Sequence, residues 1–339
     1  MRDIYGVTKS ELISFLDSIG VKSFKATQIY EWLYDKRVKS FDEMTNLKKE
    51  LICKLKDNFY IGSITIVKKQ ENESTIKYLF KLEDDNHIEA VVMKHNYGNS
   101  VCVSSQIGCN MGCAFCESGR LKKVRNLHAS EMVEQILAIE SDAKIRLSSV
   151  VVMGIGEPFD NYDNLIAFLK IINDPKGLAI GARHITVSTS GIVPKIKEFA
   201  DLPLQINLAI SLHAPNDLIR NKIMPINKVY SVDTLLDAIC YYIAKTNRRV
   251  TIEYVMLKGV NDSDEYAYEL VNLLRGLNVY VNLIPYNETS HLEFKKSFNS
   301  RKDSFFEILN KNGITVTVRR EFGGNIDAAC GQLRASVEV

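Results

Sequence analysis

Cys109, Cys113 and Cys116 stand in the run Cys-Asn-Met-Gly-Cys-Ala-Phe-Cys, which brings three thiols onto one short loop with no fourth cysteine in reach. Thiolates ligate zinc and iron–sulfur clusters. A structural zinc site closes with four protein ligands, so a zinc reading must recruit a histidine such as His95 or His128. A four-iron cluster tied by three thiolates instead leaves one iron open to a substrate or cofactor. Downstream, Gly154-Ile155-Gly156-Glu157-Pro158 offers a backbone free of side chains, followed by a carboxylate that can accept from an ammonium group. Ser188, the run Ser211-Leu212-His213, and Asn287 can supply hydrogen bonds to hydroxyl and carboxylate groups from the same rim. Taken singly, each of these polar residues reads equally as a loop cap.

These residues need elements to position them. After the cysteine loop, apolar runs alternate with amphipathic patterns: Val150–Met153, Ile185–Ser188, Ile206–Leu212, Val250–Val255 and Val279–Ile284 read as strands, and Leu235–Ala244 and Ala267–Leu274 as helices. With Val101–Ser104 as the first strand, about six βα units are expected, an α/β fold with a parallel sheet curled into a partial (βα)6 or complete barrel. Chemistry gathers at the C-terminal ends of such strands, where the candidate residues fall. Residues 1–60 read as a small helical accessory domain. Ser10 precedes a Leu12, Ile13, Phe15, Leu16, Ile19 stripe that Gly20 ends, and Ile29, Trp32 and Leu33, then Leu47, Leu51 and Leu55, give two further apolar faces. This module is either a packing cap or an RNA contact. Residues 61–98 read as a β-rich connector, and 99–339 as the catalytic core.

The 339 residues carry a net charge of +2, so nucleic-acid binding would have to come from local patches. Arg120, Lys122, Lys123 and Arg125 form one such cluster, and Lys295, Lys296, Arg301 and Lys302 another; either is also a solvated face. No run of about 18 apolar residues occurs and the N-terminus lacks an apolar signal region, so a cytoplasmic protein without a membrane partner is expected. Seven scattered cysteines give no secreted disulfide framework. Cys53 and Cys240 sit in helical apolar patterns and read as core residues.

C-x-x-x-C-x-x-C after a strand, with an aromatic before the last cysteine, is the radical S-adenosylmethionine signature. Val101–Cys109, Met153–Pro158, Arg183–Gly191, Ile210–Pro215, Met224–Asn227 and Ile326–Leu333 extend the resemblance over nearly the whole chain, which is similar to the RlmN family of radical S-adenosylmethionine RNA methyltransferases and, next to it, to Cfr. The resemblance implies a [4Fe-4S] cluster on Cys109, Cys113 and Cys116 and two S-adenosylmethionine molecules per turnover. It implies cofactor binding by Gly156, Glu157, Ser188, Ser211, Leu212, His213 and Asn287. It further implies that Cys330 carries the methyl group, that Cys102 resolves the product through a transient disulfide, and that Glu89 accepts a proton. From the residues alone, Glu89 is a solvent-facing strand residue and Cys330 a buried small one.

The implied product is a methyl group on C2 of an adenosine in 23S rRNA, in the peptidyl transferase centre, and on the adenosine beside the tRNA anticodon. An electron donor such as flavodoxin or ferredoxin is implied as a partner. Gly156-Glu157-Pro158 favours the RlmN branch, since Cfr sequences usually place alanine after that glutamate. Glu117-Ser118-Gly119-Arg120 and Gly323-Gly324-Asn325 depart from the usual pattern, near loops that the resemblance turns toward the substrate. The rivals are C8 methylation of the same adenosine and a non-catalytic RNA-binding iron–sulfur protein.

Overall fold

The structure, a computed structural model, describes residues 1–319 and 331–333. Its framework is one ten-stranded sheet. In chain order the strands are β1 (Thr65–Glu71), β2 (Thr75–Lys81), β3 (His87–His95), β4 (Gly98–Val103), β5 (Leu147–Val152), β6 (Ile185–Thr189), β7 (Asn207–Ser211), β8 (Val250–Met256), β9 (Val279–Pro285) and β10 (Val316–Val318). Spatial order follows chain order from β1 to β10. From β4 onward every pairing is parallel, whereas β1, β2, β3 and β4 pair antiparallel. Among the described residues β10 does not pair back onto β4, so the barrel stays open.

Helices fill the crossovers: α4 (Ala129–Ala143), α5 (Tyr162–Asn173), α6 (Val193–Ala200), α7 (Asp217–Ile223), α8 (Val232–Thr246), α9 (Asp264–Leu274) and α10 (Asn299–Lys311). Six βα units therefore start at β4, as the alternating pattern predicts, and the α/β partial-barrel class holds. β10 is an addition: Val316-Thr317-Val318 is too short to stand out as an apolar run.

The β-rich segment 61–98 extends the barrel sheet at its β4 edge as an antiparallel meander. Register decides what the two faces carry. Val101, Val103, Val150, Val152, Val187, Leu208, Ile210, Ile252 and Leu283 point to the helix side and are buried in the main core. The alternate positions face the barrel interior: Glu89, Cys102, Ser188, Ser211, Glu253 and Asn282. A parallel strand buried on both faces would be apolar throughout. Here polar residues are set among apolar ones such as Val151, Val255 and Ile284 on the inner face, which borders a cavity.

The N-terminal helices are α1 (Lys9–Ser18), α2 (Phe24–Tyr30, continued by a π turn over Glu31–Asp35) and α3 (Lys49–Asn58). The cap of α1 is Thr8, not Ser10: its hydroxyl accepts from Glu11 N while the Glu11 carboxylate accepts from Thr8 N, a reciprocal pair that fixes the start. Arg2–Asp3 pairs in parallel with Phe59–Tyr60 and draws the two ends of the module together. The module packs on α4 and α5, and Arg37 reaches Glu140 while Lys176 reaches Glu31 at 2.7 Å. Cys53 on α3 and Cys240 on α8 are exposed, which corrects their reading as core residues: both lie on the outer faces of their helices. Among the described residues no helix is long and apolar enough to cross a membrane.

Candidate active site

The cysteine loop follows β4 and folds tightly on glycines. Gly108 (φ +72°) and Gly112 (φ +64°) occupy left-handed backbone, and a Cβ on Gly119 would stand 2.6 Å from the Cys113 carbonyl oxygen. Cys116 N donates to Cys113 O at 3.2 Å, and Ala114 N donates to Ile223 O at 2.9 Å, seating the loop on the end of α7. Cys109, Cys113 and Cys116 are half-buried and line one cavity of about 160 Å³. Burial pushes the Cys109 thiol up to about 12 and Cys113 well above its ordinary value, with repulsion among the three thiols adding to both. Thiols so placed ionise when a cationic metal centre compensates them.

Among the described residues no three His, Cys, Asp or Glu side chains converge on a single-ion site. Three thiolates binding separate irons of one cluster need not converge on a point. His95 instead hydrogen-bonds Ser100 Oγ at 2.9 Å, and His128 caps α4.

Opposite the cysteines, the ends of β5, β6, β7 and β9 supply the rest of the wall. Gly156, Glu157, Ser188, Ser211, His213 and Asn287 all line the cavity. Both glycines of Gly154-Ile155-Gly156 are required by close approach: a Cβ on Gly154 would sit 2.7 Å from Val103 O, and one on Gly156 (φ +106°) 2.6 Å from Gln106 Cβ. Glu157 is buried, and burial raises its pKa. Its carboxylate accepts from Phe159 N at 3.0 Å and from Ser190 N at 2.7 Å, so it ties the loop after β5 to the loop after β6. Only its remaining lone pairs are available to a ligand.

Leu212 is the exception in this group. Its side chain is fully buried in the core and only its backbone serves the site, its N–H donating to Ile210 O and its carbonyl accepting from Arg220. His213 holds a left-handed backbone (φ +57°), unusual for a residue with a side chain. Its Nδ1 accepts from Val255 N at 3.0 Å, which leaves Nε2 as the protonated ring nitrogen. Burial, assisted by Arg220, lowers its pKa to about 3, so the ring is a neutral donor.

Two residues of this wall escaped the sequence reading. Arg220 on α7 is fully buried and donates to the carbonyls of Ser190 (2.6 Å), Ser211 (3.1 Å) and Leu212 (3.1 Å) and to Asn227 Oδ1 (2.9 Å). It holds the loops after β6 and β7 at a fixed separation. Glu253 on β8 faces the cavity, buried, with its carboxylate accepting from Asn282 at 2.8 Å; burial raises its pKa against the pull of Arg319. An arginine in Asp217-Leu218-Ile219-Arg220 gives no sign that it points inward. Glu253, a charge inside the apolar run Val250–Val255, was the visible anomaly.

Glu89 and Cys102 reach the same inner face. Cys102 pairs with Val91 across the β3–β4 ladder, two positions from Glu89, and packs in one apolar cluster with Val91, Ile155 and Leu333. Glu89 is buried and paired with Lys77 Nζ at 2.7 Å, so its reading as a solvent-facing residue fails: the meander folds it under the barrel edge. Ser104 Oγ donates to Glu89 O at 2.6 Å and accepts from Ile155 N at 3.0 Å, linking that strand to the glycine loop. Cys330 lies outside the described residues, as do Gly323, Gly324 and Asn325. Gly331, next to Cys330 in sequence, lines the cavity, and its carbonyl accepts from Glu117 N at 2.8 Å; Leu333 O accepts from Ser118 Oγ at 2.6 Å. Glu117 and Ser118, at which the sequence departs from the usual pattern, thus fasten the segment after Cys330 to the cysteine loop.

The basic clusters are largely neutralised internally. Arg120 pairs with Glu117, Lys123 with Asp160, and Arg125 with both Asp84 and Glu131; Lys295 pairs with Glu288 and Arg301 with Asp264.

Comparison with known proteins accords with this arrangement. Residues 103–271 match the model of the radical SAM superfamily, and residues 2–61 that of the "Ribosomal RNA large subunit methyltransferase N-terminal domain". Proteins described as "Probable dual-specificity RNA methyltransferase RlmN" are 54% identical in Acholeplasma laidlawii over 333 residues (98% of each chain). Their counterpart in Spiroplasma citri is 54% identical over 342 residues (100% of this chain, 99% of the relative). The crystal structure of a radical SAM methyltransferase from Sphaerobacter thermophilus, 43% identical, superposes with a TM-score of 0.92 over 99% of this chain and 100% of the other. The chain belongs to the RlmN family of radical S-adenosylmethionine methyltransferases.

Proposed function

We propose that this enzyme methylates C2 of an adenosine in 23S rRNA and of the adenosine beside the anticodon of tRNA, in the cytoplasm, using two S-adenosylmethionine molecules per turnover. The observation that carries this reading is the juxtaposition on one inner face of Glu89 and Cys102, beside a cavity that also holds the cysteine loop and Gly331. A general radical enzyme needs only the cysteine loop and the cofactor wall. A second thiol and a buried carboxylate on the same face suit a covalent route.

The residues present fit both cofactors. Cys109, Cys113 and Cys116 would hold the [4Fe-4S] cluster. Gly156, Ser188, Ser211, the neutral His213 and Asn287 would bind and orient S-adenosylmethionine, with Glu157 and Leu212 fixing the loops that carry them. Supplied with one electron, from a donor such as flavodoxin or ferredoxin, the bound pair yields a 5′-deoxyadenosyl radical able to take a hydrogen atom from an S-methyl group.

Cys330 is the proposed methyl carrier: its thiolate displaces S-adenosylhomocysteine from one S-adenosylmethionine and becomes S-methylcysteine. Loss of a hydrogen atom from that methyl group to the adenosyl radical, addition of the carbon to C2, and loss of one electron, which the oxidised cluster on Cys109, Cys113 and Cys116 would accept, leave an RNA base covalently joined to Cys330. C2 of adenine has no nucleophilic character, which is why a radical is required. Glu89 then takes the proton from C2. The Cys102 thiolate attacks the Cys330 sulfur, the carbon–sulfur bond breaks with its electron pair passing to the departing carbon, and a proton completes the methyl group. The Cys102–Cys330 disulfide is reopened by two electrons from a dithiol reductant.

Adenine must leave its stack to enter such a cavity, so the fold of the RNA matters more than duplex sequence. Pro158, at the first position of the short turn after Glu157, favours C2 over the C8 chemistry of Cfr by resemblance. The test of the catalytic reading is anaerobic incubation of the reconstituted enzyme with reductant, S-adenosylmethionine and RNA. Formation of 5′-deoxyadenosine together with methylated RNA is expected, and Cys102→Ala should retain a protein–RNA adduct on a denaturing gel. Absence of 5′-deoxyadenosine would sink it.

A further inference from the structure

Glu89 is proposed to act as a base in a dry place, where a carboxylate without a partner is costly to bury. The structure supplies a counter-charge that no motif signals. Lys77 lies on β2, the second strand of the meander, directly across from Val91, which is itself across from Cys102. Its Nζ stands 2.7 Å from Glu89 Oε1, and the two side chains are 8% and 3% exposed. A lysine so deeply buried is rare. As a device for stability alone it is weak, because desolvating two charges offsets most of their attraction. The pair sits on the inner face of the sheet, the face that carries Val91 and Cys102, and not on the helix side.

Resting on the reading of Glu89 as the proton acceptor, we propose that Lys77 is a positioning residue for that step: its ammonium holds the Glu89 carboxylate ionised and aimed while the rest of the pocket excludes water. The proton moves from C2 of the adduct to a Glu89 oxygen, and the C–H electron pair stays with the ring. The adjacent ammonium then favours return of that proton to solvent, which resets the base. Register places the other titratable groups of this face at Lys81 and His87, two paired positions beyond Leu79 and Glu89, at His95 at the far end of β3, at Lys68 on β1, and at Cys102 on β4. Of these groups Lys77 is the one at ion-pair distance from Glu89 among the pairs described.

The test uses full-length, cluster-reconstituted protein bearing Lys77→Met, Lys77→Gln, Lys77→Arg or Glu89→Gln, with 5′-deoxyadenosine, methylated RNA and gel-retained adduct measured between pH 6 and 9. Lys77→Met and Lys77→Gln should form 5′-deoxyadenosine within about twofold of wild type. Methylated RNA per 5′-deoxyadenosine should fall about tenfold at pH 7 and recover as the pH rises, a displacement of at least about one pH unit, tenfold in proton affinity. Adduct should accumulate, and Lys77→Arg should restore most of the yield. A folded Lys77→Met with wild-type yield and pH profile overturns the proposal. A fully active Glu89→Gln instead removes the reading of Glu89 as base, so the two failures are distinguishable. Should the neutral variants not fold, infrared difference spectra of wild type against Glu89→Gln decide directly. An ionised carboxylate band for Glu89 at pH 6 is expected, and a carboxylic-acid band contradicts it.

Discussion

At the scale of single residues, the site depends on polar groups whose ionisation is set by burial. An unfolded histidine titrates near 6.5, whereas His213 does so at about 3. Between those values the unfolded chain binds the extra proton. The stability this group contributes is therefore complete above pH 6.5 and lost progressively as pH falls toward 3. His213→Asn keeps an acceptor for Val255 N and tolerates the left-handed backbone. It should flatten the acid side of the stability curve by close to one proton, read from urea midpoints between pH 4.5 and 7; an unchanged slope would contradict the assignment. The sequence made His213 visible as a polar residue after a strand, but its neutral state comes from depth and from Arg220, neither of which has a local signature. Glu89 shows the same limit. Alternation in Ile88-Glu89-Ala90-Val91 says that Glu89 and Val91 share a face, and not that the face turns inward, which follows from how the meander joins the barrel.

At the scale of elements, loops at the strand ends are held by a few obligatory contacts. Arg220 satisfies carbonyls of three residues on two loops at once. Arg220→Met leaves them without a donor and should lower stability by on the order of 3 kcal/mol, with weaker S-adenosylmethionine binding by calorimetry; unchanged values in both would refute its role as a clamp. Gly156→Ala meets both a forbidden backbone and the Gln106 side chain. It should cost about 1–3 kcal/mol in urea unfolding and displace the Glu157 loop, measured as lost cofactor affinity. The strand runs of the barrel were legible because each keeps an apolar face, such as Val150 and Val152 or Val281 and Leu283, packed under helices. β10 was not, being three residues long, nor was the true cap of α1, because Thr8 and Ser10 are chemically alike and only the reciprocal bond with Glu11 separates them. The cofactor wall was largely readable from glycines and polar residues at strand ends. Its supports, Arg220 and Lys77, were not, since a charge drawn inward looks in sequence like one facing water.

At the scale of the whole molecule, the N-terminal module and the barrel share one continuous apolar core that runs from Ile4 to Val316. A shared core predicts cooperative unfolding, so calorimetry should show one transition for the full chain; two separated transitions would mean that the module is only loosely attached. The basic surface clusters are mostly bound up in ion pairs, which leaves them little uncompensated positive charge to present. That leaves the identity of the methylated carbon as the central claim. The direct measurement is mass mapping of nucleosides from separately purified 23S rRNA and tRNA after the gene is expressed in a host lacking its own enzyme. 2-Methyladenosine is expected in both RNAs, dependent on Cys102, Glu89 and Cys330. Finding 8-methyladenosine alone, or no methylated adenosine in either RNA, would contradict it.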